Sequence, residues 1–279
     1  MKKFKLFILF ISFVLTIESY LDAIKIYHYN SDIFVPEDCD PNNNGEYLLL
    51  ENFIKNGDVI FDVGANIGDY TKYILSLNRS NKIYSFEPIL DIVEKFKINI
   101  GNHCVLSSDS SNFNYNTSSS LIFNFGFYKK DTIMPIWYAY SHDVLSSIYD
   151  RSQQPVIQKI GVLYKKINIK LRTIDGFCVD QDLKKIDFLK IDTEGAEYDV
   201  LLGADHMLSN HRITKIQFEY GACYLDSGYT LRQIYNYLTN FGYFIYKITS
   251  DGLIYIDEWH DSLEDYRYSN FLASLERLS

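Results

Sequence analysis

The sequence predicts an α/β domain, doubly wound, with a mostly parallel sheet and an antiparallel C-terminal hairpin. Short apolar runs alternate with helix-period segments of about ten residues, the signature of parallel strands joined by crossover helices. The first strong run passes straight into a glycine turn and then a helix. Near the end, two apolar runs flank Asp251-Gly252, a hairpin signal.

Taken in order, Val59–Val63 is a strand, Tyr70–Leu77 a helix and Lys82–Phe86 a second strand. A helix follows over Ile89–Ile98, with Ile92, Val93 and Phe96 as its apolar stripe. Ser107 to Ser120 is rich in Ser and Asn without periodicity and reads as a surface loop. Ser120–Phe127, Thr132–Tyr138 and Ile167–Ile174 read as extended. Ile186–Ile191 is a strand and Glu197–Leu208 a helix carrying Val200, Leu201, Ala204 and Leu208 on one side. Ile213–Phe218 and Leu231–Phe241 add a strand and a helix, and Tyr243–Ile248 with Leu253–Ile256 form the hairpin.

Composition bounds the function. The chain has 279 residues, 47% hydrophobic and 23% charged, which excludes a disordered or collagen-like chain. Lys+Arg 27 against Asp+Glu 36 gives a net charge of −9, so no bulk attraction to phosphate backbones exists and nucleic acid is not expected as a partner. The four cysteines, Cys39, Cys104, Cys178 and Cys223, include no C-x-x-C pair, against zinc-ribbon and thioredoxin-type motifs. Lys2, Lys3 and Lys5 precede an apolar run from Leu6 to Ile17. Residues 1–23 therefore read as a signal peptide or signal-anchor, with membrane association through that segment and a secretory address. Residues 24–279 read as one domain.

In open parallel sheets ligands bind beyond the carboxyl ends of the strands, so the residues there are the ones that count. Asp62-Val63-Gly64-Ala65-Asn66-Ile67-Gly68 turns from strand to helix, and glycines let the backbone approach a ligand closely. Glu87, ending the next strand, can accept the two hydroxyls of a ribose. A dinucleotide turn needs G-x-G-x-x-G, but counting from Gly64 the second glycine is Asn66 and the third Asp69. A side chain and an acid at those places disfavour a pyrophosphate. S-adenosylmethionine carries no phosphate, and its amino and sulfonium charges suit acids such as Asp62 and Asp69. Asp192 and Glu219 end two further strands. Such a pair can share a divalent cation such as Mg²⁺, or one of them can serve as general base for a hydroxyl. Glu194 and Glu197, just after Asp192, also suit a helix N-terminus. His142 beside Asp143 reads as a surface residue or a base, and Trp137, Tyr138 and Tyr140 as core or as sugar-stacking rings.

Six stretches together resemble the FkbM-type family of S-adenosylmethionine-dependent methyltransferases: Phe61–Thr71, Tyr84–Pro88, Leu145–Arg151, Ile169–Phe177, Ile186–Ala204 and Gln217–Gly221. The resemblance implies a class I methyltransferase fold (Rossmann-like), with cofactor contacts at Asp62, Gly64, Asn66, Gly68 and Glu87. It matches Asn124 to an asparagine near the adenine. It also matches Asp192 and Glu219 to strand-end acids that bind metal in related O-methyltransferases. The implied activity is methyl transfer to a hydroxyl of a sugar, glycan or glycoconjugate. A non-catalytic, secreted or membrane-displayed binding protein on the same fold is the rival reading.

Overall fold

A computed structural model describes residues 24–29, 38–106 and 119–278. Residues 1–23, expected to be a signal peptide or signal-anchor, and most of the Ser/Asn-rich stretch lie outside the described residues. From the amino end run β1 (Lys25–His28), α1 (Glu46–Phe53), β2 (Val59–Val63), α2 (Asp69–Ser76), β3 (Lys82–Phe86) and α3 (Leu90–Ile100). Next come β4 (Cys104–Leu106), β5 (Ser119–Phe123), β6 (Gly126–Phe127), β7 (Thr132–Ala139), α4 (Pro155–Ile160) and β8 (Tyr164–Arg172). The carboxyl half contains α5 (Ile174–Asp180), β9 (Ile186–Ile191), α6 (Glu197–Leu202), α7 (Asp205–Ser209), β10 (Ile213–Tyr220) and α8 (Tyr224–Ser227). It closes with α9 (Leu231–Asn240), β11 (Phe244–Thr249), β12 (Gly252–Ile256) and β13 (Ser269–Ser274).

Ten strands form one sheet in the order β1-β12-β11-β13-β10-β9-β2-β3-β5-β4. From β4 to β10 every pairing is parallel, while β13 and the β11–β12 hairpin make the antiparallel end. A second sheet, β6-β8-β7, stands apart from the first. Alternation along β2 splits the core into two layers, with Ile60 in one and Phe61 in the other. The Phe61 layer absorbs much of the aromatic content. Phe86 lies 4.4 Å from Phe127 and 5.1 Å from Phe177, ring centre to ring centre. Among the described residues no helix is long and apolar enough to cross a membrane.

Four departures from the sequence expectation have local causes. The run expected as Ser120–Phe127 is two strands in two sheets, broken after Phe123. Ser119, expected in a loop, belongs to β5 together with Ser120, whose Oγ bonds Ser85 Oγ at 2.8 Å. The run expected to reach Ile174 stops at Arg172, because Thr173 caps α5 by accepting from the Gly176 amide at 3.1 Å. The long helix expected over Glu197–Leu208 is two, parted at Gly203, whose absent Cβ would meet the Tyr128 carbonyl oxygen at 2.2 Å. The hairpin forms, but β13 intervenes between β10 and β11.

Candidate active site

Register decides what meets what. Val63 pairs with Phe86 on one side and with Ile191 on the other, and Ile191 pairs with Phe218. Gly64, Glu87, Asp192 and Glu219 thus come side by side at one edge of the parallel strands, Glu219 still within β10 and paired with Asn270. Backbone bonds hold them there: Gly64 N–H donates to the Phe86 carbonyl at 3.0 Å, and Asp192 N–H to the Val63 carbonyl at 3.0 Å. Gly64 has φ +80, and a Cβ on it would stand 1.8 Å from the Asp192 carbonyl oxygen. Only glycine permits the two loops to cross so closely.

A cavity of about 730 Å³ opens over this edge, within the usual range for a small-molecule site. On its β2–β3 side it is lined by Gly64, Ala65, Asn66, Ile67, Glu87 and Ile89. Glu87 is 5% exposed and accepts from the amides of Ile89 at 2.8 Å and Asn66 at 3.2 Å. Burial pushes its carboxyl up to about 7, against the lowering effect of those two amides. Each oxygen retains acceptor capacity for a ribose hydroxyl.

On the β9–β10 side Asp192, Glu194 and Glu219 each offer an oxygen, all within 4.8 Å of one another. Lys190 reaches into this group, its Nζ 3.1 Å from Asp192 Oδ2 and 3.6 Å from Asp62 Oδ1, and 4.6 Å from the centre of the Tyr70 ring. Arg151 pairs with Glu194. Desolvation works to raise Asp192, but the Lys190 ammonium and a hydrogen bond from Glu219 outweigh it and hold Asp192 below the ordinary carboxylate range. Burial and the Asp192 charge send Glu219 well above that range, and burial lifts Glu194 to about 8. The donor set is all oxygen, as Mg²⁺ prefers. Its members are nonetheless already engaged from within: Lys190 meets Asp192, Arg151 pairs with Glu194, and burial favours the neutral form of both glutamates.

The model of the methyltransferase FkbM domain matches residues 62–245, which is 184 of the 279 residues. The chain belongs to the FkbM methyltransferase family. Methyltransferase 1 of Beauveria bassiana (strain ARSEF 2860) is 25% identical over 156 residues, 52% of this chain and 58% of that protein. The AMB antimetabolite synthetase AmbE of Pseudomonas aeruginosa is 27% identical over 174 residues, 53% of this chain and 8% of its own length. The chain therefore spans little more than half of one of these relatives and a small part of the other. Among solved structures, M. capricolum TrmK in complex with S-adenosyl-homocysteine aligns over 83% of this chain and 68% of its own, at 10% identity and a TM-score of 0.41. The mostly parallel α/β sheet described above is the class I architecture expected of that family.

Within this FkbM domain, Gly64, Asn66, Glu87, Asp192 and Glu219 line one cavity. Three other residues matched to cofactor contacts are not on its wall. Asp62 is fully buried, accepting from Thr71 Oγ1 at 2.7 Å in a hydroxyl chain that runs on through Ser85 to Ser120. Its other oxygen has no hydrogen-bond partner and faces Lys190. Gly68 opens α2 at φ +90 and lets Phe96 approach, since a Cβ there would meet that ring at 2.6 Å. Asn124 is exposed and donates to the carbonyls of Glu87 and Pro88, both at 3.1 Å, steadying the turn after β3. Asp69 does line the cavity and accepts from Asn99 at 2.8 Å.

Glu197 proves to be a staple. Fully buried, it accepts from the Thr193 amide at 2.7 Å, the Thr193 hydroxyl at 2.9 Å and the Gly195 amide at 3.0 Å, shaping the loop that carries Asp192. His142 is exposed beside Ser141, while Tyr138 is core and Tyr140 solvent-facing. Sequence reasoning missed Lys190, although a lysine inside an apolar strand two residues before Asp192 is a visible signal. It also missed Glu46, Tyr47 and Tyr70, which line the far side of the cavity with Tyr266 and Tyr268. A buried relay joins them: Tyr70 OH donates to Gln217 Oε1 at 2.5 Å, and Gln217 Nε2 to Glu46 Oε2 at 2.6 Å.

Proposed function

We propose that this FkbM methyltransferase moves the methyl group of S-adenosylmethionine to a hydroxyl of a sugar, glycan or glycoconjugate. The observation that carries the reading is that one cavity holds both the glycine turn with Glu87 and, beyond it, the Asp192–Glu219 acid pair. Gly64, Ala65, Asn66 and Glu87 would hold the nucleoside; when bound, the cofactor supplies an electrophilic methyl carbon. Asp192, the acid kept ionised by Lys190, receives the acceptor's hydroxyl proton as the oxygen attacks, and Glu219 hydrogen-bonds the same carboxylate. Positioning supplies much of the remainder, since the two reactants are held in one enclosure. The far wall, with Tyr47, Tyr70, Tyr266 and Tyr268 beside Glu46, combines ring faces and acceptors that suit a polyhydroxylated ring. A secretory address for residues 1–23 is consistent with a glycan acceptor.

We read the acid group as a proton-handling site rather than a Mg²⁺ cage, because Lys190 and Arg151 already engage Asp192 and Glu194. The test is S-adenosylhomocysteine release across a panel of sugar and macrolide-type hydroxyl acceptors, with Mg²⁺ or with EDTA. Turnover on sugars that survives EDTA, and is lost in Asp192→Asn while S-adenosylmethionine still binds, supports the reading. Turnover restricted to non-sugar acceptors overturns the acceptor class, and abolition by EDTA overturns the metal-free mechanism.

A further inference from the structure

Charge is distributed very unevenly over this acidic chain. Residues 126–172, which comprise the second sheet and its connections, hold eight Lys or Arg against three Asp. Their net charge is +5, leaving −14 for the rest of a chain that sums to −9. Among the described residues eleven large apolar side chains are exposed, and six of them lie in the same segment: Ile133, Tyr140, Val144, Val156, Ile160 and Leu163.

The two features coincide in space. Leu163 N–H donates to Ser141 Oγ at 2.9 Å, which brings Leu163 beside Tyr140 at the end of β7. Val156 and Ile160 stand one turn apart on α4 with Lys159 between them, and both face solvent while Ile157 is buried. Across the β7–β8 ladder Tyr138 pairs with Lys165 and Trp137 with Lys166, whose ammonium lies 3.9 Å from the Trp137 ring centre. Val144 and Val156 also line the cavity, so the cavity opens on this side. Both arginines of the segment are engaged elsewhere, Arg151 with Glu194 and Arg172 with Asp180. The remaining positive charge here is lysine, of which Lys165 also pairs with Asp91 at 3.2 Å and Lys129 with Asp199 at 2.8 Å.

We propose that this face, the β7–β8 end of the small sheet with α4, docks on a bilayer containing anionic lipid. Exposed aliphatic side chains with lysines beside them are what an interfacial surface needs: the aliphatic groups enter the headgroup boundary and the ammonium groups meet lipid phosphate. Nucleic acid would want arginine forks and open ring faces. Here the arginines are committed, Trp137 is covered by Lys166, and the exposed groups are mostly aliphatic. Docking would set the cavity mouth at the lipid–water boundary, where hydroxyls of membrane-linked acceptors lie. The inference holds whichever hydroxyl is methylated.

The experiment is sedimentation of the full chain with vesicles of phosphatidylcholine, with or without phosphatidylglycerol, at low and high salt. Because the N-terminal lysines and apolar run are common to all variants, differences between variants read this face alone. Wild type should favour the anionic vesicles in a salt-sensitive way. Lys159→Gln with Lys165→Gln and Lys166→Gln should lose on the order of a hundredfold in partition, about fivefold per lysine. Ile160→Ser with Leu163→Ser should weaken partition at either salt concentration. Unchanged melting temperature and S-adenosylhomocysteine binding would show both variants folded. If the triple lysine variant partitions like wild type, the proposal fails. Displacement from vesicles by a single-stranded oligonucleotide at equal phosphate concentration would assign the face to nucleic acid and equally overturn it.

Discussion

Lys190 and Asp192 sit two residues apart on one face of the same strand end, with ammonium and carboxylate 3.1 Å apart. Lys190 is buried among Asp62, Asp192 and the Tyr70 ring, so its own ionised form is held by these neighbours against desolvation. Lys190→Met should leave two acids without their cation. Asp192 should then titrate at higher pH, and turnover at neutral pH should fall about a hundredfold while partly recovering in alkali. Lys190→Arg should keep most of the wild-type pH profile. An unshifted profile in Lys190→Met would contradict a role in ionising Asp192.

Glu87 gives the cofactor step its own pH dependence. Its carboxyl is raised to about 7 by burial, so near neutrality it is partly protonated before ligand arrives. Ribose hydroxyls donate best to the ionised form. Affinity for S-adenosylmethionine should therefore weaken below about pH 7, by up to tenfold per unit, with proton release on binding. For the ligand-free protein the sign is opposite. A carboxyl raised on folding contributes stability that is fully present below its ordinary value and is lost as pH rises through about 7. Calorimetry at several pH values checks this, and Glu87→Gln should flatten the dependence while lowering affinity overall.

Gly64→Ala should not be tolerated, because its Cβ would overlap the Asp192 carbonyl oxygen and neither strand end can retreat without breaking the sheet register. Gly57 supplies the control. It too has a positive φ, +88, but nothing lies within 4 Å of its missing Cβ. Gly57→Ala should cost about 1 kcal/mol of backbone strain. Gly64→Ala should cost several times that, visible as lost soluble yield or a melting temperature lower by about 10 °C or more. Equal stability of the two variants would refute the close crossing of the loops.

The strand ends are legible because buried parallel strands appear in sequence as apolar runs, so the order of residues alone marks Val63, Phe86 and Ile191, while β10 runs two residues past the expected Phe218 to Tyr220. Acids directly after such runs then mark the edge, as Glu87 and Asp192 do, and Glu219 lies level with them within β10. Asp62 shows where that logic stops. Being next to the turn does not reveal that its side chain points into a Thr71–Ser85–Ser120 chain behind the cavity wall. β13 escapes for another reason: Ser269–Ser274 is short and polar at both ends, and its place is set by pairing with β10 and β11 across long sequence separations. The far wall of the cavity is drawn from residues 46–47 and 266–268, which no local pattern connects.

Glu197 separates a positioning role from a catalytic one. Its own side chain is not on the cavity wall, yet it binds Thr193 twice and Gly195 once. Those two residues flank Glu194 immediately after Asp192. Glu197→Ala should strand buried amide donors, at about 1–3 kcal/mol each, and lower the melting temperature by roughly 5–15 °C. The released loop should also let Asp192 and Glu194 drift from their positions beside Glu219. The effect should fall on kcat more than on S-adenosylmethionine affinity, since Glu87 and the glycine turn stand on β2 and β3. Glu197→Gln retains an acceptor oxygen and should restore part of both stability and rate. If Glu197→Ala weakened cofactor binding and spared kcat, the loop would belong to the nucleoside side of the cavity instead.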